Sequence, residues 1–353
     1  DDDSVSRPRL RVALLAGGRS SEHEISLASA RSVLEALDPE RYEIVTVHIG
    51  RDGRWELEAG LQQIVTSSEE AQAPASTLPV PTSEARTPAV LGSVDVVLPI
   101  LHGPFGEDGT VQGLLELLDV AYVGSGVAAS ALAMDKDLFK KVMRDSGIPV
   151  ARHHTIRLGD AVSNPFGYPV FVKPARLGSS VGISKVRDES SLAAAVALAR
   201  RHDEKVLVEE FVEGLEVEVG VLGNRVPPPI ASLPGAIDTL DHDWYDFASK
   251  YDKDGMRLVI PPDLPRGTID LLQRRAVDAF VASECEGLAR VDFFVRASDG
   301  EVVVNELNTM PGFTATSVYA ALFEESGVGY AELLDRLIDL ALERRDRRSQ
   351  LEY

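Results

Sequence analysis

The chain has 353 residues, of which 44% are hydrophobic and 26% are charged. This composition is typical of a globular protein with two or three domains, and it excludes a disordered chain and a small disulfide-dependent protein. The formal net charge is −20, from 36 Lys and Arg against 56 Asp and Glu. A nucleic-acid partner is therefore not expected, because nucleic-acid-binding surfaces carry net positive charge.

Cysteine usage and hydropathy bear on the compartment. The single cysteine, Cys285, can form neither a disulfide within the chain nor a thiolate metal cluster, which fits a reducing environment. The N-terminal residues lack the basic and apolar regions of a signal peptide. No apolar run reaches the roughly 18 residues that a membrane span needs. We therefore expect a cytoplasmic protein without a membrane partner.

The first part of the chain alternates strands with a helix. Ser21 and Glu24 match a capping box, so a helix is predicted from this point through about Leu37. Apolar runs predict strands over 10–16, 43–49 and 94–101. Strands that alternate with helices indicate a parallel α/β unit.

From about residue 124 the pattern changes to short strands joined by glycine-containing turns, which is typical of an α+β region. Helices are predicted over 127–133, 135–146, 190–201 and 266–284 and from residue 330. Strands are predicted over 169–174, 183–186, 205–210 and 216–222, followed by a hairpin over 289–305.

This hairpin carries the strongest chemical signal in the sequence. With a three-residue turn at 298–300, two cross-strand pairs project from one face: Asp292 with Glu306, and Arg290 with Asn308. Two opposed carboxylates need a compensating cation, and Asp, Glu and Asn oxygens suit Mg²⁺. The alternative is a solvated polar face of an antiparallel sheet. A two-residue turn would shift the register by one residue and remove the alignment.

A second signal is a cation followed by a loop of small residues. Lys173 and Pro174 precede the sequence Gly-Ser-Ser-Val-Gly at 178–182. Small residues let backbone amides approach a phosphate closely, and serine hydroxyls add donors. The chain has no Walker loop, and alone this segment is more typical of a hairpin turn. Together with Lys173 and a metal-binding face, it favours phosphate binding.

Two further patterns are ambiguous. Residues 124–129 fit the dinucleotide fingerprint G-x-G-x-x-A, but Asp145, at the required distance, lies in a predicted helix. An NAD-dependent oxidoreductase is therefore only a remote alternative. His102 follows a buried strand, at the strand end where α/β sheets bind ligands, but a lone histidine there can equally be a structural hydrogen-bond donor. The histidines form no zinc motif.

Several ordered blocks resemble the D-alanine:D-alanine ligases, members of the ATP-grasp superfamily. The blocks are 17–27, 101–113, 122–126, 134–136, 173–182 and 305–312. The resemblance covers about residues 10–342 and implies an ATP-grasp fold that combines α/β and α+β parts in three domains. These are an N-terminal Rossmann-like parallel α/β domain over 1–124, a central domain over 125–213 and a C-terminal domain over 214–353. The Ala-, Pro-, Ser- and Thr-rich segment 67–87 is predicted to be a disordered insertion.

The resemblance implies a cytoplasmic enzyme, most simply a homodimer, that joins two D-alanines for peptidoglycan precursor synthesis. In such enzymes ATP phosphorylates the carboxylate of the first D-alanine, and the amine of the second displaces phosphate. Two Mg²⁺ ions, or Mn²⁺ in their place, assist the transfer. Small-molecule substrates, D-alanine and ATP, are therefore the expected partners.

The resemblance also implies roles for individual residues. The ATP-binding residues would be Lys136, Lys173, Ser179, Ser180, Ile183, Glu209, Phe211, Val212, Glu216 and Phe294. The metal ligands would be Asp292, Glu306 and Asn308. The first D-alanine would be held by Glu22 and His102, the tetrahedral oxyanion by Arg290 and the Gly312 amide, and the second carboxylate by Lys250 and Ser317. Tyr251, in the catalytic loop 233–255, would connect through Ser179 to Glu22.

Two departures and several alternatives remain open at this point. Ser249 stands where relatives often carry an acidic residue, and Leu215 stands where many carry Arg, so loop closure and ATP affinity can differ. Within the class, the alternatives are D-alanyl-D-lactate and D-alanyl-D-serine ligases. Tyr251 argues against the lactate version, whose members replace this tyrosine. A nucleotide sensor with a dead site is disfavoured because the phosphoryl-transfer set is retained.

Overall fold

The computed structural model describes residues 8–58, 89–238 and 257–352, which form two compact units. The first unit comprises the residues up to 106, 110–124 and those from 312 onward; the second comprises 107–109 and 125–311. The predicted insertion at 67–87 and the greater part of the predicted catalytic loop lie outside the described residues. The predicted division into three domains stays a prediction.

Within the described ranges, most predicted elements are present with small shifts of their ends. The helices are α1 (His23–Ala36), α2 (Thr110–Leu117), α3 (Val127–Met134), α4 (Lys136–Asp145), α5 (Glu189–Arg200), α6 (Arg266–Ala282), α7 (Val318–Glu325) and α8 (Tyr330–Ser349). Asp145 is thus the last residue of a helix, as predicted, which is the wrong context for a dinucleotide fingerprint. None of these helices combines the length and the hydropathy needed to cross a membrane.

The strands form three sheets. Those of the first unit are β1 (Leu10–Gly17), β2 (Tyr42–Ile49), β3 (Trp55–Glu58), β4 (Val96–Pro99) and β5 (Ala121–Tyr122). Those of the second unit are β6 (His153–Ile156), β7 (Val170–Pro174), β8 (Ser184–Val186), β9 (Val206–Glu210), β10 (Gly214–Gly223), β11 (Ile230–Ala231), β12 (Gly235–Asp238), β13 (Arg257–Val259), β14 (Gly287–Arg296) and β15 (Val302–Asn308).

The sheet of the first unit has the order β3-β2-β1-β4-β5. Four of its strands pair in parallel, and β3 is an antiparallel edge strand. The prediction of a parallel α/β unit is therefore confirmed. Apolar side chains such as Val12 and Leu14 are fully buried, because the strands of a parallel sheet are covered on both faces.

The predicted capping box at the start of α1 is wrong. The helix begins at His23 with Glu22 at the N-cap, and no side chain caps it. Ser20 makes the local turn instead: its hydroxyl accepts from the Glu22 N–H at 3.2 Å and donates to the His102 carbonyl at 2.6 Å. This contact to a residue distant in sequence shifts the start of the helix away from Ser21.

The second unit contains two antiparallel sheets, with the orders β13-β12-β10-β14-β15 and β6-β9-β7-β8. Side chains of β10 and β14 alternate between two faces. On one face Val217, Val219 and Val291 are buried in a core with residues of α4 and α6. Each such buried side chain stabilises the fold by about 1.5–3 kcal/mol. The opposite face is therefore left for polar side chains.

The hairpin of β14 and β15 contains a β-bulge. As predicted, Asp292 pairs with Glu306 and Arg290 with Asn308, but beyond them Phe293 pairs with Val304. The extra residue is Asn305. The turn is also longer than predicted: the N–H of Arg296 bonds the carbonyl of residue 301 at 2.9 Å, which leaves four residues, 297–300, in the loop. The predicted three-residue turn is wrong, and the bulge restores the predicted pairing at the acids.

Candidate functional site

A cleft of about 360 Å³ lies in the second unit, and we call it the nucleotide cleft. Its volume falls in the range of small-molecule sites. All predicted ATP-binding residues line it: Lys136, Lys173, Ser179, Ser180, Ile183, Glu209, Phe211, Val212, Glu216 and Phe294. Asp292 and Glu306 line the same cleft. The fold thus gathers residues from α4 and from strands of both sheets of this unit.

Small residues form a loop between β7 and β8 on one side of the cleft. Ser179 and Ser180 have φ angles of 53° and 58°, a left-handed conformation that non-glycine residues adopt rarely. Such backbone conformations are concentrated at ligand-binding segments. Lys136 at the start of α4 donates to the Leu177 carbonyl at 2.8 Å, so the loop is tied to a cation that also lines the cleft.

Two lysines share one buried carboxylate beside the cleft. Lys173 donates to Oε1 of Glu209 at 2.6 Å, and Nζ of Lys140 lies 2.9 Å from Oε2. Burial raises the pKa of the Glu209 carboxyl, but the two ammonium groups outweigh it, so this pKa lies below its ordinary value. Sequence reasoning missed Lys140, although it is four residues after Lys136 and therefore on the same helix face.

Aromatic rings form an apolar wall of the cleft. The centroids of Phe171 and Phe211 are 6.0 Å apart, and Nζ of Lys185 lies 4.2 Å from the centroid of the Phe211 ring. Phe171 and Lys185 were not predicted as site residues. An apolar slot with a cation over one ring suits a flat aromatic base.

The opposed acids of the hairpin are paired with cations in this structure. Arg290 binds Asp292 through two hydrogen bonds of 2.7 Å, and its Nε lies 3.2 Å from Glu218. Although burial lowers the pKa of Arg290, these two carboxylates hold it well above its ordinary value. Nζ of Lys136 lies 3.4 Å from Glu306. Glu218 was not predicted, but its alternation with Glu216 on β10 places both on one face.

These residues fit a hard divalent cation. The described residues contain no cluster of three or more His, Cys, Asp or Glu side chains suited to a metal. Asp292, Glu306 and Asn308 nevertheless offer two carboxylates and an amide oxygen. Mg²⁺ needs few protein ligands because water and phosphate oxygens complete its shell. Arg290 donates one hydrogen bond to each oxygen of Asp292, and an ionised carboxylate keeps further lone pairs for a cation.

The predicted residues for the first amino acid lie in the first unit. Glu22 is at the N-terminus of α1, and His102 is buried after β4. The structure brings them together at Gly103, where an added methyl group would lie 2.9 Å from a carboxylate oxygen of Glu22. The φ of +70° at Gly103 also favours glycine. The carboxylate thus lies directly against the turn that follows His102.

The structure describes only some of the residues that were predicted to bind the second D-alanine and the tetrahedral intermediate. Gly312 and Ser317 share a loop before α7, where the Ser317 hydroxyl accepts from the Thr314 N–H at 2.8 Å. This loop is fixed to α1, because the Phe313 N–H donates to the buried Ser29 hydroxyl at 3.2 Å. Lys250 and Tyr251, predicted for the same site, lie outside the described residues, as does Ser249.

A second buried ionic group of the second unit surrounds Asp137 on α4. The fully buried Asp137 accepts hydrogen bonds from Lys141 at 2.9 Å, Thr155 at 2.9 Å and His153 at 3.1 Å. Lys205 also donates to this carboxylate, at 3.4 Å. Burial raises the pKa of the carboxyl, but the hydrogen bonds and the nearby positive charge outweigh it, so the pKa of Asp137 lies well below its ordinary value. Asp137 therefore stabilises the fold at neutral pH.

We predict that Asp137→Asn flattens the loss of stability in acid. A carboxyl with a depressed folded-state pKa contributes stability above its unfolded pKa, about 4, and loses it as pH falls toward the folded value. Urea unfolding of the wild type between pH 4.5 and 3 should therefore show a pH slope of the unfolding free energy steeper by up to about 1.4 kcal/mol per pH unit. The control is Asp119→Asn, because the Asp119 side chain is 89% exposed. Parallel slopes in wild type and Asp137→Asn would contradict the prediction.

Two family models match the chain. The model described as "D-ala D-ala ligase N-terminus" matches residues 11–125, and the one described as "D-ala D-ala ligase C-terminus" matches residues 142–339. The chain is 44% identical to a D-alanine–D-alanine ligase of Solibacter usitatus, over 95% of this chain and 96% of the relative. It is 47% identical to a D-alanine–D-alanine ligase of Kineococcus radiotolerans, over 96% and 98%.

The chain is also similar to solved structures of related ligases. The D-alanine-D-alanine ligase from Coxiella burnetii superposes with a TM-score of 0.80 at 35% identity, covering 98% of this chain and 97% of that one. The D-Ala:D-Ser ligase VanG from Enterococcus faecalis superposes with a TM-score of 0.80 at 34% identity, covering 95% of this chain and 100% of that one.

Proposed function

The chain belongs to the D-alanine–D-alanine ligase family and is a ligase of two D-alanines, and we propose that it uses ATP in the nucleotide cleft and a D-alanyl phosphate intermediate. Its fold is the predicted ATP-grasp fold, with parallel α/β and antiparallel parts. The observation that carries the proposal is the cleft itself, where all the predicted ATP-binding residues and both opposed acids line one cavity.

The reaction consists of a phosphoryl transfer followed by an acyl transfer. A carboxylate oxygen of the first D-alanine attacks the γ-phosphorus of ATP, and the bond to ADP breaks. The amine of the second D-alanine then attacks the acyl carbon, phosphate leaves, and the attacking nitrogen gives up its extra protons to solvent. The products are D-alanyl-D-alanine, ADP and phosphate, and the dipeptide serves peptidoglycan precursor synthesis.

Phosphoryl transfer depends mainly on positioning and on neutralising charge. Lys136 and Lys173 line the cleft as cations and would contact the phosphates. The Ser179–Ser180 amides and hydroxyls would close over them. Two Mg²⁺ ions on Asp292, Glu306 and Asn308, with Mn²⁺ as a substitute, would neutralise the charge of the transferring group. Lys136 then exchanges the Leu177 carbonyl for a phosphate oxygen.

The base and sugar of ATP fit the remaining residues of the cleft. Phe211, with Val212, Ile183 and Phe294, would hold the adenine ring. Glu209 would accept the adenine amino group, and Glu216 would accept the ribose hydroxyls. The two acids lie on strands that are consecutive in the chain but belong to different sheets, β9 and β10.

The remaining residues of the proposed site would bind the two D-alanine substrates. Glu22 would hold the first ammonium and His102 would lie near its carboxylate, while Ser317 and Lys250 would bind the second carboxylate. Arg290 and the Gly312 amide would each donate to the oxyanion of the tetrahedral intermediate. Tyr251 would close the site. We also propose that the enzyme is cytoplasmic and acts as a homodimer.

A coupled assay of ADP release tests the function. D-Alanine should release ADP and yield the dipeptide by mass spectrometry, and D-serine or D-lactate should be poorer acceptors. The relatives at 44–47% identity favour D-alanine, whereas the D-serine-using relative is more distant in sequence. ADP release that does not depend on D-alanine, or that is faster with another acceptor, would contradict the proposal.

Glu22→Gln should weaken binding of the first D-alanine by about 10- to 100-fold, because a hydrogen bond to a charged group contributes about 1.5–3 kcal/mol. The KM for ATP should stay within twofold. The matched control is Glu24→Gln, since Glu24 lies on the same helical turn and pairs with Arg51 at 3.0 Å. Equal losses of ATP and D-alanine affinity would show that Glu22 is structural.

A further inference from the structure

The side chain of Lys140 on α4 is fully buried. Its Nζ lies 2.9 Å from Oε2 of Glu209 and donates to the Asn305 carbonyl at 3.0 Å. A buried ammonium is unfavourable unless it is paired and hydrogen-bonded, and an apolar side chain of similar volume often serves packing equally well. The two contacts therefore indicate a role for the charge itself rather than for the volume of the side chain.

One contact stabilises the β-bulge. Asn305 is the extra residue between the pairs Asp292–Glu306 and Phe293–Val304, and the extra residue of a bulge leaves the ladder. Lys140 supplies a hydrogen bond to its carbonyl. Because the bulge makes Asp292 face Glu306, this ammonium supports the register of the opposed acids.

The other contact fixes the carboxylate of Glu209. Lys173 donates a hydrogen bond to Oε1 at 2.6 Å, and Nζ of Lys140 lies 2.9 Å from Oε2. Because each carboxylate oxygen of Glu209 contacts a different lysine, rotation of the carboxylate group is restricted. Lys140 is not among the residues that line the nucleotide cleft, whereas both of its partners, Glu209 and Asn305, are.

We propose that Lys140 is a positioning residue that couples nucleotide binding to metal binding, by tying Glu209 on β9 to the bulge beside Glu306 on β15. This inference rests on the proposed function, in which Glu209 binds adenine and Glu306 binds metal. Because one ammonium group contacts both Glu209 and the bulge, nucleotide binding at Glu209 should favour the position of Glu306 that binds the metal ion. Metal binding at Glu306 should in turn favour the position of Glu209 that binds the nucleotide.

The test replaces Lys140 with methionine, which keeps an unbranched side chain of similar volume and removes the charge. Binding of adenylyl imidodiphosphate is measured by calorimetry, and binding of Mn²⁺ to the analogue-bound enzyme by electron paramagnetic resonance. Both affinities should fall at least tenfold, while the KM for the first D-alanine stays within twofold. The control is Lys141→Met, because the side chain of the neighbouring Lys141 is half exposed and pairs at 2.9 Å with Asp137, which does not line the cleft.

Three outcomes separate the explanations. Wild-type affinities with a lowered melting temperature in Lys140→Met would overturn the proposal and leave a structural role. If Lys140→Met does not fold, the double variant Lys140→Met with Glu209→Gln replaces it, because this variant has no unpaired buried carboxylate. The Mn²⁺ affinity of the double variant should be weaker than that of Glu209→Gln alone. Equal Mn²⁺ affinities of these two variants would overturn the proposal. A wild-type enzyme that releases no ADP with D-alanine would contradict the proposed function instead, while the Mn²⁺ measurements still report on Lys140.

Discussion

Replacing Glu306 with glutamine is expected to reduce turnover about a thousandfold or more without unfolding the protein. The carboxylate lines the nucleotide cleft opposite Asp292, where it would bind the metal ions. A metal ion contributes several kcal/mol of charge stabilisation to a phosphoryl transfer, and each 1.4 kcal/mol corresponds to a factor of ten. Glutamine keeps the shape and removes the charge, so kcat and Mn²⁺ affinity should fall together.

The matched control for this variant is Glu301→Gln. Glu301 precedes the same strand and pairs with Arg296 at 3.1 Å, and its side chain is 43% exposed. Its kcat should equal that of the wild type. Circular dichroism and the melting temperature of Glu306→Gln should also match the wild type. Activity of Glu306→Gln within tenfold of wild type would refute the metal assignment.

The opposed acids could be predicted because strand alternation is a local property. A period of two places Asp292 and Glu306 on one face once the register is given, and Val291 and Leu307 on the buried face. The strands and helices that were predicted likewise follow from apolar periodicity, whereas α2, α7 and β6 were not predicted. The sequence therefore contained the chemistry of this wall of the cleft.

The turn and the bulge could not be predicted from local pattern. A four-residue loop at 297–300 alone would have shifted the register, and the bulge at Asn305 shifts it back. The bulge carbonyl is satisfied by Lys140 from a distant helix. Because that hydrogen bond joins residues that are 165 positions apart in the sequence, local sequence patterns cannot predict it. The start of α1 was mispredicted for a similar reason, since Ser20 bonds the carbonyl of His102.

Two missed residues had weak signals in the sequence. Lys140 follows Lys136 by one helical turn, and Glu218 alternates with Glu216 on β10. Such spacings are common on solvated faces, so periodicity alone cannot separate a buried charge from an exposed one. Burial decides the matter: Lys140 is fully buried and Glu218 is 5% exposed.

Arg290→Lys should reduce kcat by about 100- to 1,000-fold, the usual effect of removing one oxyanion donor. Lysine keeps one positive charge between Asp292 and Glu218 but loses the planar fork that makes two hydrogen bonds of 2.7 Å to Asp292. The KM for ATP should change less than threefold, because Arg290 is not among the residues that line the nucleotide cleft.

Metal binding separates the two roles that Arg290 can have. Arg290 uses part of the acceptor capacity of the Asp292 oxygens, so Arg290→Lys should bind Mn²⁺ in the presence of the ATP analogue at least as tightly as the wild type. The matched control is Arg296→Lys, on the same strand, where the arginine pairs with Glu301 at 3.1 Å, and its kcat should be unchanged. If Mn²⁺ affinity fell in parallel with kcat, Arg290 would act by orienting Asp292, and the oxyanion assignment would be wrong. If Mn²⁺ affinity is kept while turnover is lost, the guanidinium acts on the reacting group itself.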